Sequence, residues 1–482
     1  MRRLSKMIGT VLMTLLLLIP ITSGAHDGDA TPPWQAASRW PDRLVVTLPD
    51  DPATSFAVTW RTDASVTETI AEIVPATDDA RFDQGARTER AHTEPLDLDA
   101  IRIDGQRFAA HGNTGLPPVH YHSVRFDELE EDRVYAYRVR GDRGAWSEWF
   151  HLRTAAREGP VKFLYIGDAQ NGVRSHWARL IRSAFSAAPD ADFILHAGDL
   201  VNRASRDYEW AEWFEAVGFI HGMVPAVPVA GNHEYARLGY GEAQTDRILS
   251  ILWRPQFTLP REPALPADLQ EAAYALHYSE DVHLFVLSTQ NSQIAEQAEW
   301  LDAALESSDA RWKIVSMHHP IFSSGRGRDS PERRALLLPV LERHSVDLVL
   351  QGHDHTYARG ATGQRPERLG FTDAGGDVEV MFVNSVSGPK QYSFVEDGWD
   401  RYEDHGVMLA RKAENTQFYQ IIEIDDDELH YQARTALDHL YDDFVMRKAD
   451  DGSKTIVRGA TSTMDERTFE NTGPYKDADS LK

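Results

Sequence analysis

The sequence predicts an all-β sandwich followed by an α/β domain in which helices cover a sheet. Three observations carry this. Short alternating apolar runs, split by Asp, Gly and Pro clusters, fill the segment from Pro32 to about Ala155. From Lys162 onward, buried-looking strand runs alternate with amphipathic helical patterns. Several of those later strands run directly into a polar cluster. With 482 residues, 42% of them hydrophobic and 10% aromatic, the chain is long enough for two or more globular cores.

The start of the chain has a basic tip (Arg2, Arg3, Lys6), an apolar run from Ile8 to Ile21, and small residues ending at Ala25. That is the three-part pattern of a secretory signal peptide, residues 1–25, and it predicts a secreted or periplasmic protein with no membrane attachment once it is removed. The apolar run is short for a spanning helix. There is no cysteine. A metal site must therefore be built from His, Asp, Glu, Asn, Gln or Tyr. The net charge of -25 argues against nucleic acid as a resting partner, because backbone phosphates call for a basic patch. An anionic substrate would need local cations.

In the first domain, 32–155, "RLVVTLP", "SFAVTWRT", "VHYHSVRF" and "VYAYRVRG" read as sandwich strands of roughly immunoglobulin-like size. "AAREGP", Ala155 to Pro160, reads as a linker. In the second, 160–415, the strands are "VKFLYIG", "ADFILHAG", "VPAVPVAG", "VHLFVLST", "WKIVSMHH" and "VDLVLQGH", with helices such as Ser175–Ala187 and Ser292–Glu306 between them. Residues 416–448 contain a hairpin with an acidic turn, Gln417 to Arg434. Residues 449–482 read as a polar, loosely held tail.

The chemistry gathers after the strands. Asp168 follows the first, Asp199 the second, and Asn232, His233 and Glu234 the third; His318 and His319, then His353 and His355, follow later ones. In open α/β sheets ligands bind beyond the carboxyl ends of strands. Gly167, Gly198, Gly231 and Gly352 each stand just before a candidate ligand, where glycine permits tight turns and close backbone approach. In an extended segment, His353 and His355 would point the same way and converge on one point. Each motif alone is an ordinary turn; five in this order after strands are not.

Gly-Asp, Gly-Asp, Gly-Asn-His-Glu, Val-x-x-His and Gly-His-x-His, in that order, resemble the calcineurin-like metallophosphoesterases. The preceding sandwich, "SFAVTWRT", "GNHE" and "GHDHTYAR" resemble the purple acid phosphatase branch, from about Pro41 to Lys448. The resemblance implies a fibronectin type III-like N-terminal domain and a four-layer catalytic domain of two packed sheets flanked by helices. It also implies two metal ions per chain, Fe, Zn or Mn. Asp168 and His355 would hold the first, Asn232, His318 and His353 the second, and Asp199 would bridge them. The implied reaction is hydrolysis of a phosphoric ester by a bridging hydroxide, with a small phosphate ester as substrate. His233 would stabilise the transition state or protonate the leaving oxygen, and Glu234 would orient its imidazole. His319 is a candidate for lining the substrate pocket.

Two positions depart from the branch. Asn202 stands where the purple enzymes have a tyrosine, three residues after the bridging Asp. Gln170 stands where they have glycine, two after the first Asp, and where other metallophosphoesterases have His. Gln170 is thus a candidate oxygen ligand, and Asn202 is a second possible metal ligand that offers only a neutral amide. Tyr208 and Tyr235 lie near the motifs without the expected spacing. These residues predict a phosphomonoesterase that is not purple. A phosphodiesterase or nucleotide-processing hydrolase, or a binding protein with a relic metal fold, stands as the alternative. The sequence carries no reading of oligomeric state.

Overall fold

The computed structural model describes residues 36–97, 118–237, 247–363 and 377–473, together with the backbones of two short strands at 102–103 and 106–107. The stretch read as a secretory leader, 1–25, lies outside the described residues.

Alternation builds the sandwich. In strand Val119–Phe126, Val124 and Phe126 point into the sandwich core, while Ser123 and Arg125 between and beside them point to the other face. It joins strands Asp42–Thr47, Phe56–Asp63 and His92–Pro95 in one sheet; strands Ile70–Pro75, Arg87–Arg90, Val134–Val139 and Phe150–Arg153 form the other. Phe56, Val58, Trp60, Ile73, Phe126 and Tyr137 fill the space between them.

The sandwich is not a body apart. Its strand Asp42–Thr47 pairs in parallel with the catalytic strand Ala226–Pro228, at Thr47 and Ala226. Among the described residues the result is one twelve-stranded sheet running through both parts of the chain. Beside that joint, Arg43 and Arg61 both reach Asp207, in the first turn of helix Asp207–Val217, at 2.7 and 3.2 Å.

In the catalytic part, strands Val161–Ile166, Phe193–His196 and Ala226–Pro228 run parallel in the first sheet. Strands Val282–Leu287, Trp312–Met317, Leu348–Gln351 and Val380–Asn384 run parallel in a second, seven-stranded sheet. Leu164, Ile194, Leu284, Ile314 and Leu350 share one core, and Leu180, Ile181 and Ala184 of helix Ala178–Ala187 also belong to it. A second core joins Phe285, Val315 and Val349 to Leu301 and Leu305 of helix Ile294–Glu306 and to Leu337 and Leu341 of helix Pro331–Arg343. The layers are therefore helix, sheet, sheet, helix, behind a β-rich N-terminal domain. Strands in such a sheet are buried on both faces and read as continuous apolar runs.

The acidic hairpin is present as strands Phe418–Asp425 and Glu428–Thr435. The loosely held tail is corrected. Strand Leu440–Lys448 extends the hairpin, and Lys454–Arg458, inside the polar tail, pairs with it antiparallel. The physical reason is Asp347, buried before strand Leu348–Gln351. It draws the ammonium groups of Lys448 and Lys454 to 2.7 and 3.3 Å. Strand Lys454–Arg458 is anchored because its lysine has a buried carboxylate to meet and Ile456 packs into the core.

Candidate dinuclear metal centre

The parallel strands of both sheets end at one edge, and that edge carries the candidate ligands. Asp168 lies two residues beyond strand Val161–Ile166, Asp199 three beyond Phe193–His196, and Asn232 four beyond Ala226–Pro228. His318 follows Trp312–Met317 directly, and His353 lies two beyond Leu348–Gln351. Asp168, Asp199, His353 and His355 all adopt positive φ (43°, 52°, 74° and 51°). Side chains rarely sit there, and such strain collects at functional sites.

Two groups of ligand atoms result, one of Asp199, His318 and His353 and the other of Asp168, Asp199 and His355, each with its atoms within 4.8 Å of one another. Asp199 belongs to both. In the first group, His318 Nε2 lies 3.2 Å from Asp199 Oδ2. The Asn232 side-chain oxygen lies 3.2 Å from His318 Nε2 and 2.9 Å from His353 Nδ1. In the second, His355 Nε2 lies 3.4 Å from Asp168 Oδ1. His353 and His355 therefore do not act as an extended pair converging on one point. The left-handed turn through Gly352–His355 sends them to different groups.

Outer contacts fix each tautomer. His318 Nδ1–H donates to the Ala197 carbonyl at 2.9 Å, and His355 Nδ1–H to the Lys390 carbonyl at 2.7 Å. Each ring turns its Nε2 toward the centre. Glycine makes room. A Cβ on Gly231 would lie 2.3 Å from Asp199 Oδ1, and one on Gly198 would lie 2.5 Å from His318 Nδ1.

The residues fit a pair of cations. Asp168 Oδ1 and Gln170 Oε1 are buried without hydrogen-bond partners, the condition of atoms shaped for another ligand. Burial raises the Asp168 carboxyl to about 8, with the Asp199 charge adding to it against His318. Burial also opposes the Asp199 charge, yet His318 and His233 hold that carboxyl well below the usual range. His318 is pushed up to about 9 by Asp199 despite its burial. With one imidazolium beside two buried carboxylates, Asp168 is driven toward its neutral form, so ionising both carboxylates calls for more positive charge. Nitrogen and oxygen donors without thiolate suit Fe, Zn or Mn.

His233 and Glu234 stand differently. The His233 backbone N–H donates to Asp199 Oδ1 at 2.9 Å, and its Nδ1–H donates to the Asn202 carbonyl. Its Nε2 lies 3.8 Å from Asp199 Oδ2, and its side chain is 24% exposed. Burial lowers its pKa. The expectation that Glu234 orients this imidazole is corrected, because Asn202 does so through its backbone. The fully buried Glu234 carboxylate instead accepts the N–H groups of Asp199 and Gly231, each at 2.8 Å, and of Leu200 at 3.0 Å. It ties the Asp199 loop to the Asn232 loop. A carboxylate can collect backbone donors from two loops only after both have folded, so no local sequence signal betrays this.

The amide nitrogen of Gln170 donates to Asp199 Oδ2 at 2.7 Å and to His355 Nε2 at 3.0 Å. Gln170 is thus among the second group. His319 is buried beside His353, ring centroids 4.3 Å apart, with Nδ1 2.9 Å from Thr289 Oγ1. Tyr208 is 45% exposed and bonded to Arg206 and Glu209, while Tyr235 meets Ser288 at 2.6 Å. Both candidate tyrosines therefore have partners other than the ligand atoms. His196 pairs with His221 in the core, Nε2 to Nε2 at 3.0 Å. His176 is bonded to Ser175 and His344 to Asp302.

Among the parallel strands, the sequence reading missed Val380–Asn384. The loop after it brings the Gly388 N–H to the Asp168 carbonyl at 2.8 Å and the Ser387 N–H to that of Gly167 at 2.8 Å. An apolar run ending in Asn-Ser repeats the signal of the other strands and could have revealed it.

Two paired sheets carry a shared carboxylate at their common edge. Residues 161–357 match the calcineurin-like phosphoesterase family, and residues 41–154 match the purple acid phosphatase N-terminal domain. The chain therefore carries a metallophosphoesterase domain behind a purple-acid-phosphatase-type N-terminal domain, and it is a metal-dependent hydrolase of phosphoric esters. Purple acid phosphatase 17 of Arabidopsis thaliana is 28% identical over 54% of this chain and 80% of its own. Purple acid phosphatase 18 of the same plant is 25% identical over 72% and 75%. Acid phosphatase type 7 of Danio rerio is 25% identical over 64% and 75%. The solved purple acid phosphatase PPD1 from yellow lupin (Lupinus luteus) seeds shares the fold. It has a TM-score of 0.67 over 86% of this chain and 75% of that one, at 17% identity.

Proposed function

We propose that this protein is a phosphomonoesterase in which Asp199 bridges two metal ions. The first would be held by Asp168, His355 and Gln170, the second by Asn232, His318 and His353. The observation that carries the reading is the sharing of Asp199 between two groups of ligand atoms. Turning the Gln170 amide by 180° would bring its unpartnered oxygen to the point between Asp199 and His355 where its nitrogen now lies. When bound, two such ions supply charge for the phosphoryl oxygens and lower the pKa of water.

The chain's own residues do the rest. His233, its Nδ1–H held by Asn202, has Nε2 left to carry a proton to the leaving oxygen or to donate to the phosphoryl group. Glu234 is a positioning residue that keeps Asp199 and Asn232 in register. Asn202 contributes its carbonyl to the site and no phenolate to a metal. His319 braces His353 at the pocket wall. The preference for monoesters is supported by the relatives, which are named as acid phosphatases.

The same reading takes 32–155 as the N-terminal domain, 160–415 as the metallophosphoesterase domain and 416–448 as its C-terminal hairpin. It places the protein outside the cytoplasm, on the leader pattern of residues 1–25. Among the described residues no helix is long and apolar enough to cross a membrane.

Rates on p-nitrophenyl phosphate and bis-p-nitrophenyl phosphate, before chelation, after it, and after metal is restored, test the reading. The expected result is a monoester preference lost with the metal and regained with it. Faster diester hydrolysis would favour the phosphodiesterase, and no activity with metal restored would favour a binding protein.

A further inference from the structure

Two cations stand beside the centre with no carboxylate in ion-pair contact among the described residues. Arg328 Nη1 donates to the His353 carbonyl at 2.8 Å, and its guanidinium lies 4.6 Å from the centroid of the Tyr392 ring. The Lys390 carbonyl holds His355, and its ammonium lies 5.6 Å from the same ring centroid. Tyr392 packs against the His355 ring at 4.8 Å and donates its backbone N–H to the His355 carbonyl at 3.1 Å. One aromatic ring thus contacts two cations next to both histidines of the Gly-His-x-His turn. Such contacts orient a cation without neutralising it. Among the described residues neither Arg328 nor Lys390 pairs with a carboxylate, in a chain with 75 acidic residues against 50 basic ones. Both are half-buried, so each remains partly open to a ligand.

We infer that Arg328 and Lys390, set by Tyr392, form a second-anion subsite that takes a further phosphate group of the substrate. This rests on the hydrolase reading above and deepens it. The favoured class is a phosphoanhydride whose leaving group is itself a phosphate, such as a nucleoside diphosphate. Hydrolysis adds water across the terminal P–O bond. The bridging oxygen leaves with the remaining phosphate and takes up a proton, and inorganic phosphate is released. A planar guanidinium can grip two oxygens of that remaining phosphate, while the ammonium acts as a point charge. The subsite also answers the acidic surface, which cannot itself attract a polyanion.

The test compares kcat/KM for ADP and for p-nitrophenyl phosphate in the metal-loaded wild type, Arg328→Gln, Lys390→Gln and Arg328→Lys. Each charge-removing variant is expected to lower the ADP-to-p-nitrophenyl phosphate ratio about 10-fold, the scale of one charge-assisted contact, chiefly through KM. Arg328→Lys should restore part of it. Calorimetric binding gives a second readout, in which the preference for methylenediphosphonate over methylphosphonate should shrink in the same variants. A ratio and a binding preference unchanged in both Gln variants would overturn the subsite while leaving the hydrolase standing. Equal losses on both substrates would also overturn it, because they mark damage to the centre itself. A wild type that hydrolyses neither substrate would overturn the hydrolase reading first.

Discussion

His233 and Glu234 are neighbours with opposite duties, and substitution separates them. His233→Ala removes a ring 3.8 Å from Asp199 Oδ2 but keeps the backbone N–H that holds Asp199 Oδ1. It should keep both metals, by mass spectrometry, and lower turnover by about 10²–10⁴-fold, the range for a general acid or a charge-stabilising donor. Glu234→Ala does the reverse. It leaves three buried N–H groups unpaired, each costing about 1–3 kcal/mol, on the loops that carry Asp199 and Asn232. The expected outcome is a lower melting temperature together with weaker metal retention. A Glu234→Ala protein as stable and metal-rich as its parent would contradict the positioning role. His233 and the ligand types were legible in the sequence because their chemistry is written in the motif. The duty of Glu234 was not, because its partners lie on loops more than thirty residues apart.

At the scale of elements, strand ends decide the site. Gly231→Ala would put a Cβ 2.3 Å from Asp199 Oδ1 and 2.4 Å from the Asp199 nitrogen, so the bridging loop must shift. We expect a folded protein by circular dichroism that has lost metal and activity. The catalytic strands were legible because burial on both faces makes apolar runs, as in Val161–Ile166 and Val282–Leu287. Strand Lys454–Arg458 was not, because its burial depends on a distant charge. Asp347→Ala leaves the buried ammonium groups of Lys448 and Lys454 without their carboxylate, at a cost of about 3–5 kcal/mol. Urea denaturation should report that loss in full if the tail strand is part of the cooperative fold, and only the Lys448 share of it if the tail hangs free.

Across the whole molecule, the twelve-stranded sheet ties the sandwich to the catalytic part, so the two should melt together. The sequence could not foresee this, since a single residue pairing, Thr47 with Ala226, makes the joint. Acid should weaken the whole. Burial depresses His122, His221 and His283 to about 4 and pushes His196 lower than its ordinary value. In the unfolded chain these rings take up protons near pH 6.5. Their contribution is complete above that pH. It is lost as the pH falls toward about 4, because the unfolded state then binds more protons. Urea midpoints measured from pH 7.5 to 5 should fall steadily below about 6.5, and a flat profile would count against the buried neutral pairs.

The most direct measurement is metal stoichiometry with turnover in the wild type and in Asp199→Ala. A carboxylate that serves two ions should give two metal equivalents per chain in the wild type. Its removal should cost at least one of them and abolish hydrolysis, with the other ligands untouched. Two metals retained with near-normal turnover in Asp199→Ala would contradict the shared centre.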